Sequence, residues 1–198
     1  MKNLTKFILI LIIVIAGALG LIFISNPTVD LYIDGENITC TIDRPFSEEL
    51  NEEICKYALD SMNNISSNVS SLEAGIKDIC RENGLGEVNV NIKSPYGDNQ
   101  FPVIYQVEGD SMEPTLQDGQ TILVNKTKDI EINDIVVANS SEYGNIVKRV
   151  DNIEGNSIHL VSDNKEVDYN IINGMIYESR GITTWVDLSD IYGVVEAY

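Results

Sequence analysis

A serine, Ser111, and a lysine, Lys148, form the most reactive pairing this 198-residue chain offers. Ser111 stands in Glu108-Gly-Asp-Ser-Met-Glu-Pro-Thr-Leu-Gln-Asp-Gly119, a run of small, acidic and turn-forming residues. Lys148 follows 37 positions later in Gly144-Asn-Ile-Val-Lys-Arg-Val150. A hydroxyl becomes a nucleophile only when a neighbour takes its proton, and the chain holds one histidine, His159, which reads as an ordinary strand residue. A lysine kept neutral can serve instead. Its ordinary pKa, near 10.4, makes it a cation at neutral pH; desolvation in an apolar site brings it into the working range. Ile146, Val147 and Val150 suit a partly buried strand of that kind, with Lys148 on the face opposite Val147 and Arg149 pointing the other way. Gly109 and Asp110 permit a tight turn that presents the Ser111 backbone N–H as an oxyanion donor. Gly109 carries no hydroxyl, so no side chain two residues before the serine adds a second donor.

These residues resemble the catalytic domain shared by type I signal peptidases and the self-cleaving LexA-like repressors, the S24/S26-type Ser-Lys peptidases. Gly109, Ser111, Met112, Pro114, Thr115 and Leu116 fit the first block of that superfamily, and Val147, Lys148 and Arg149 fit the second. Leu160-Val-Ser-Asp-Asn164 is similar to its Gly/Ser-Asp-Asn segment, and Asp134-Ile-Val-Val137 to the strand before the lysine block. The resemblance covers residues 101–198. It implies that Ser111 is the nucleophile and Lys148 the general base, with Pro114, Arg149, Asp163 and Asn164 as structural motif residues. It further implies that the strand over 101–107 lines a cleft for an extended peptide, with Tyr105, Val107 and Met112 as lining candidates. No cofactor or metal is implied. Two departures stand out. The Ser-x-Asp-Ser-Arg continuation of bacterial signal peptidases is not completed after Asn164, so its lysine-orienting serine and aspartate have no counterparts. The histidine that archaeal and endoplasmic-reticulum relatives use in place of lysine also has none, because His159 lies well beyond Lys148.

Residues 7–24 form an unbroken run of 18 apolar or glycine residues, close to the ~20 that span a bilayer as a helix. Lys2 and Lys6 precede the run, and Asp30, Asp34 and Glu36 follow it. The positive-inside rule then places the N-terminus in the cytoplasm and everything after Ser25 outside, as a single-pass protein of the cell membrane. A cleavable signal peptide is the competing reading; no Ala-x-Ala-like site follows, and the apolar run exceeds the usual 7–15 residues. A net charge of -18, from 31 acidic and 13 basic residues, argues against binding to a phosphate backbone. No helix-turn-helix or basic stripe is visible, which sets the chain apart from a DNA-binding repressor. Cys40, Cys55 and Cys80 leave one disulfide and one odd thiol outside the membrane, and the sequence does not say which pair forms. Asn37, Asn64, Asn68, Asn125 and Asn139 head sequons that a glycosylating host could use.

The expected architecture is a mainly β catalytic domain (96–198) preceded by a small α+β module (27–95) and the anchor (1–26). Val29, Leu31 and Ile33 alternate, as do Ile38, Cys40 and Ile42, with Asp34-Gly35 between them: a β-hairpin. Ser47 reads as an N-cap, and apolar residues from Leu50 to Ile79 recur at near-helical spacing. Asn63-Asn64 and Ser66-Ser67 interrupt that pattern, so one helix or two fit. Val88, Val90 and Ile92 alternate as another strand, and residues 94–100 form a turn-rich boundary. Short strands follow over 103–107, 121–124, 135–137, 146–150, 158–161 and 191–195.

The leading functional expectation is a membrane-anchored endopeptidase that trims exported preproteins. Its partners are then the lipid bilayer and protein or peptide substrates. The alternatives are self-cleavage at Ala74-Gly75, as in the repressor branch, and an anchored binding or assembly protein whose peptidase domain is inactive.

Overall fold

The computed structural model describes residues 26–43, 47–166, 168–172, 175–179 and 181–197. The apolar run over 7–24 lies outside them; among the described residues no helix is long and apolar enough to cross a membrane.

The first sheet starts as a hairpin. β1 (Thr28–Ile33) and β2 (Ile38–Ile42) pair antiparallel. Their turn is closed by the Asp34 carboxylate, whose Oδ1 accepts the N–H groups of Glu36 and Asn37 at 2.9 and 2.7 Å. α1 (Glu48–Asn63) is capped by Ser47, whose Oγ accepts the Leu50 N–H, and it buries Leu50, Ile54, Ala58 and Met62 on one face. α2 (Val69–Glu82) begins with a reciprocal capping box between Asn68 and Ser71 and buries Leu72, Ile76 and Cys80. The apolar spacing over 50–79 therefore belongs to two helices. Between them the Asn64 side chain accepts the Ser66 N–H at 2.9 Å, an Asx turn that competes with helix continuation. β3 (Asn89–Ser94) returns parallel to β1, and β4 (Gly97–Asp98), inside the segment expected to be only a turn, completes the order β2-β1-β3-β4. Val29, Leu31 and Ile33 share one core with Ile54, Leu72 and Ile76. A disulfide joins Cys40 of β2 to Cys55 of α1, and Cys80 is a buried free thiol.

The second sheet holds β5 (Pro102–Gln106), β6 (Thr121–Asn125), β7 (Ile135–Ser140), β8 (Gly144–Glu154) and β9 (Ser157–Val161). β10 (Asp168–Ile172) and β11 (Met175–Ser179) pair as a separate hairpin. β12 (Thr183–Asp187) and β13 (Ile191–Ala197) complete a seven-stranded antiparallel sheet of order β12-β9-β8-β7-β13-β6-β5. The chain's last strand thus lies between β7 and β6. β12 escapes the sequence reading for a physical reason: it is an edge strand that buries only Val186, so its alternation is weak. Two apolar clusters flank the sheet, one around Val136, Val150 and Leu160 and the other around Met112, Leu116, Ile122 and Val124.

Candidate active site

The loop from β5 to β6 carries Ser111. Gly109 adopts φ +85, a backbone region open to glycine at little cost, and its N–H donates to Asp118 Oδ1 at 2.8 Å. The Glu113 N–H donates to Asp110 O, and the Leu116 N–H to Met112 O. Met112 and Leu116, both fully buried, pin this turn to the core from beneath. Met112 is therefore corrected from cleft candidate to core residue: its side chain packs with Leu116, Ile122 and Val124 and does not reach the cleft. Pro114 follows a cis Glu113–Pro114 bond and is exposed. The Ser111 backbone N–H has no hydrogen-bond partner among the described residues.

Lys148 arrives from β8, where Ile146, Lys148 and Val150 share the buried face and Val147 and Arg149 take the other. Its cross-strand partner is the buried Val136. The ammonium, on a residue only 2% exposed, donates to Ser111 Oγ at 2.7 Å and to Val147 O at 2.8 Å. Burial pushes the Lys148 pKa down to about 8, against the opposing pull of Asp163.

A polar staple holds the serine turn to the lysine strand. Arg149 donates from Nε and Nη2 to the two Asp163 oxygens at 2.7 and 2.6 Å, and from Nη1 to Asn133 O. Thr115 Oγ1 donates to Asp163 Oδ2 at 2.6 Å. The Arg149 hydrogen bond, helped by Thr115 and opposed by burial, holds the Asp163 carboxyl below the usual carboxylate range. Asn164 binds the turn directly, its N–H donating to Ser111 O at 3.0 Å and its Nδ2 to Asp110 O at 3.1 Å. Beside it, Ser162 is buried, and its Oγ has no hydrogen-bond partner among the described residues.

A cleft of about 490 Å³ opens on this pair. Tyr105, Val107, Ser111 and Lys148 line it, joined by Tyr143 and Ile182 from segments that no motif singled out. Nothing along the chain signals those two, because they reach the cleft only through strand pairing. His159 stands apart, its Nδ1 2.9 Å from Asp151 Oδ2 and its ring stacked on Trp185 at 4.7 Å. Ala74-Gly75 lies inside α2, where a Cβ on Gly75 would overlap the Tyr57 ring.

The Peptidase S24-like family matches the chain over residues 67–182, a span that includes Ser111, Lys148 and every residue of the staple. Over 63 residues the chain is 35% identical to Signal peptidase IB of Staphylococcus aureus strain Mu50 / ATCC 700699, and equally to that of strains N315 and MW2. Each match covers 30% of this chain and 33% of the relative, so the chain spans about a third of the length of these curated proteins.

Proposed function

This chain belongs to the Peptidase S24-like family, and on that premise we propose that it is a serine endopeptidase working through a Ser111/Lys148 dyad. The observation that carries this reading is the 2.7 Å contact between a buried lysine and the serine hydroxyl. A neutral Lys148 takes the Oγ proton as Ser111 attacks the peptide carbonyl carbon, and the Ser111 N–H stabilises the oxyanion that forms. The lysine then gives that proton to the departing amine nitrogen, leaving an ester on Ser111. Water attacks the ester while Lys148 again accepts a proton; the acid leaves and the hydroxyl is restored.

The finer reading is a signal-peptidase-like role: an anchored enzyme that cuts exported proteins after small residues, next to a membrane-proximal apolar segment. Three observations support it. The run over 7–24, preceded by Lys2 and Lys6, fits a membrane anchor with the catalytic part outside. The Cys40–Cys55 disulfide fits an oxidising compartment. The similarity to Signal peptidase IB points to the same chemistry. Cleavage of a model preprotein by the detergent-solubilised full chain tests it, with Ser111→Ala and Lys148→Ala alongside. Loss in both variants is expected, and cleavage that survives Ser111→Ala would remove the assignment. Self-cleavage at Ala74-Gly75 is disfavoured, since a bond within a packed helix cannot enter a cleft as an extended strand.

A further inference from the structure

The outer edge of β5 is open for only part of its length. The residues that flank β5 show which positions face β6: the Val107 N–H donates to Gln120 O and Phe101 O accepts the Lys126 N–H, so the odd-numbered residues bond inward. Inward and outward bonding alternate along an antiparallel strand, so Ile104 and Gln106 turn their N–H and C=O away from the sheet. Among the described residues β5 is the last strand of that sheet, so these groups form its outward edge.

One of them is already taken. The Ile104 N–H donates to Gly35 O at 3.1 Å, and Gly35 belongs to the turn between β1 and β2. Gly35 is buried at φ +103, and a Cβ there would lie 3.0 Å from Ile104 Cγ1 and 3.5 Å from Leu123 Cδ1. Only glycine lets the turn seat this closely. The hollows divide at the same point. Tyr105 to Glu108 line the cleft beside Ser111, whereas Val103 and Ile104 line a separate hollow with Gly35 and Glu36.

We infer that the β1–β2 turn is an end-stop on the substrate cleft: it occupies the β5 edge at Ile104 and confines an extended peptide to the stretch between Gln106 and Ser111. The inference rests on the peptidase reading above. With a rise of about 3.3 Å per residue and bonds at alternate positions, that edge holds roughly four substrate residues. Main-chain pairing rewards any long extended peptide, whatever its sequence; a stop leaves selection to the side chains nearest the scissile bond. The α+β module thereby gains a task in specificity.

The test uses the full chain and fluorogenic peptides of one scissile sequence, lengthened one residue at a time at either end. In the wild type, kcat/KM for the arm lying along β5 should rise several-fold up to about four residues and then stay flat. In Gly35→Ala the plateau should move to longer peptides. A wild-type rise that continues past that length, with cleavage still lost in Ser111→Ala, would overturn the stop and leave the peptidase reading intact. No Ser111-dependent cleavage at any length would overturn both. Should the Gly35 variant not fold, hydrogen exchange on the wild type with a long non-cleavable peptide decides. Slowing at Gln106 with residues 34–37 unchanged supports the stop; loosening of 34–37 overturns it.

Discussion

Lys148 Nζ donates to Ser111 Oγ across 2.7 Å on a residue that is only 2% exposed. Burial lowers the lysine pKa to about 8. A base must be unprotonated, so activity should be low where Lys148 is charged and full where it is neutral. The kcat/KM of the free enzyme should rise about tenfold per pH unit on the acid side and level off above a midpoint of about 8. A profile already flat at pH 6 would mean that Lys148 is not the base.

Asp163 couples two parts of the site that are far apart in sequence, accepting from Thr115 beside the serine turn and from Arg149 beside the lysine. Asp163→Asn should lower kcat/KM roughly 10–100-fold with both dyad residues intact, since displacements of about 1 Å at reacting atoms cost that much. The folded carboxyl titrates below its usual range. Its stabilisation is therefore complete above the unfolded pKa and disappears as the pH falls through the lowered folded one. The stability gap between wild type and variant, measured by urea unfolding, should close in strong acid.

Lys126 is a second buried lysine, 1% exposed. Its ammonium donates to Asn64 O at 2.8 Å and lies 5.9 and 5.6 Å from the ring centres of Phe101 and Tyr192. It ties the α1–α2 connection to the end of β6. Lys126→Ala removes packing and one of the two hydrogen bonds to Asn64 O, which keeps the Ser67 N–H, for an expected loss of about 2–4 kcal/mol; Lys126→Met should lose less. Burial first, and Lys128 second, lower its pKa to about 8. The unfolded chain therefore holds this proton more tightly, and the wild type should gain on the Met variant as pH rises from 8 toward 10.4. Urea unfolding at both ends of that window measures it.

The Cys40–Cys55 bridge closes a loop of 15 residues, for which the chain-entropy relation gives about 3 kcal/mol. Cys40→Ser or reduction should destabilise the folded chain by about that amount. Thiol titration of the unfolded, unreduced chain should find one reactive cysteine, Cys80, and all three only after reduction.

Much of the secondary structure was legible because its signals are local. Alternation at Val29, Leu31 and Ile33, the Ser47 cap and the Asp34-Gly35 turn each involve residues within a few positions of one another. Ser111 and Lys148 stood out by chemical type and motif spacing, and Asp163 and Asn164 by the third motif block. The sequence left open whether 50–79 was one helix or two, because periodicity continues across a break that only side-chain bonding at Asn64 decides.

Residue order is therefore enough to show which segments alternate, where helices begin and which residues carry reactive groups, all properties of neighbours along the chain. Contacts made on folding settle that β13 enters between β6 and β7, that Met112 is core while Tyr143 and Ile182 wall the cleft, that Cys40 pairs with Cys55, and that Gly35 O takes the β5 edge at Ile104. Those choices depend on burial and hydrogen bonding summed over contacts distant in sequence, where composition and spacing carry little information.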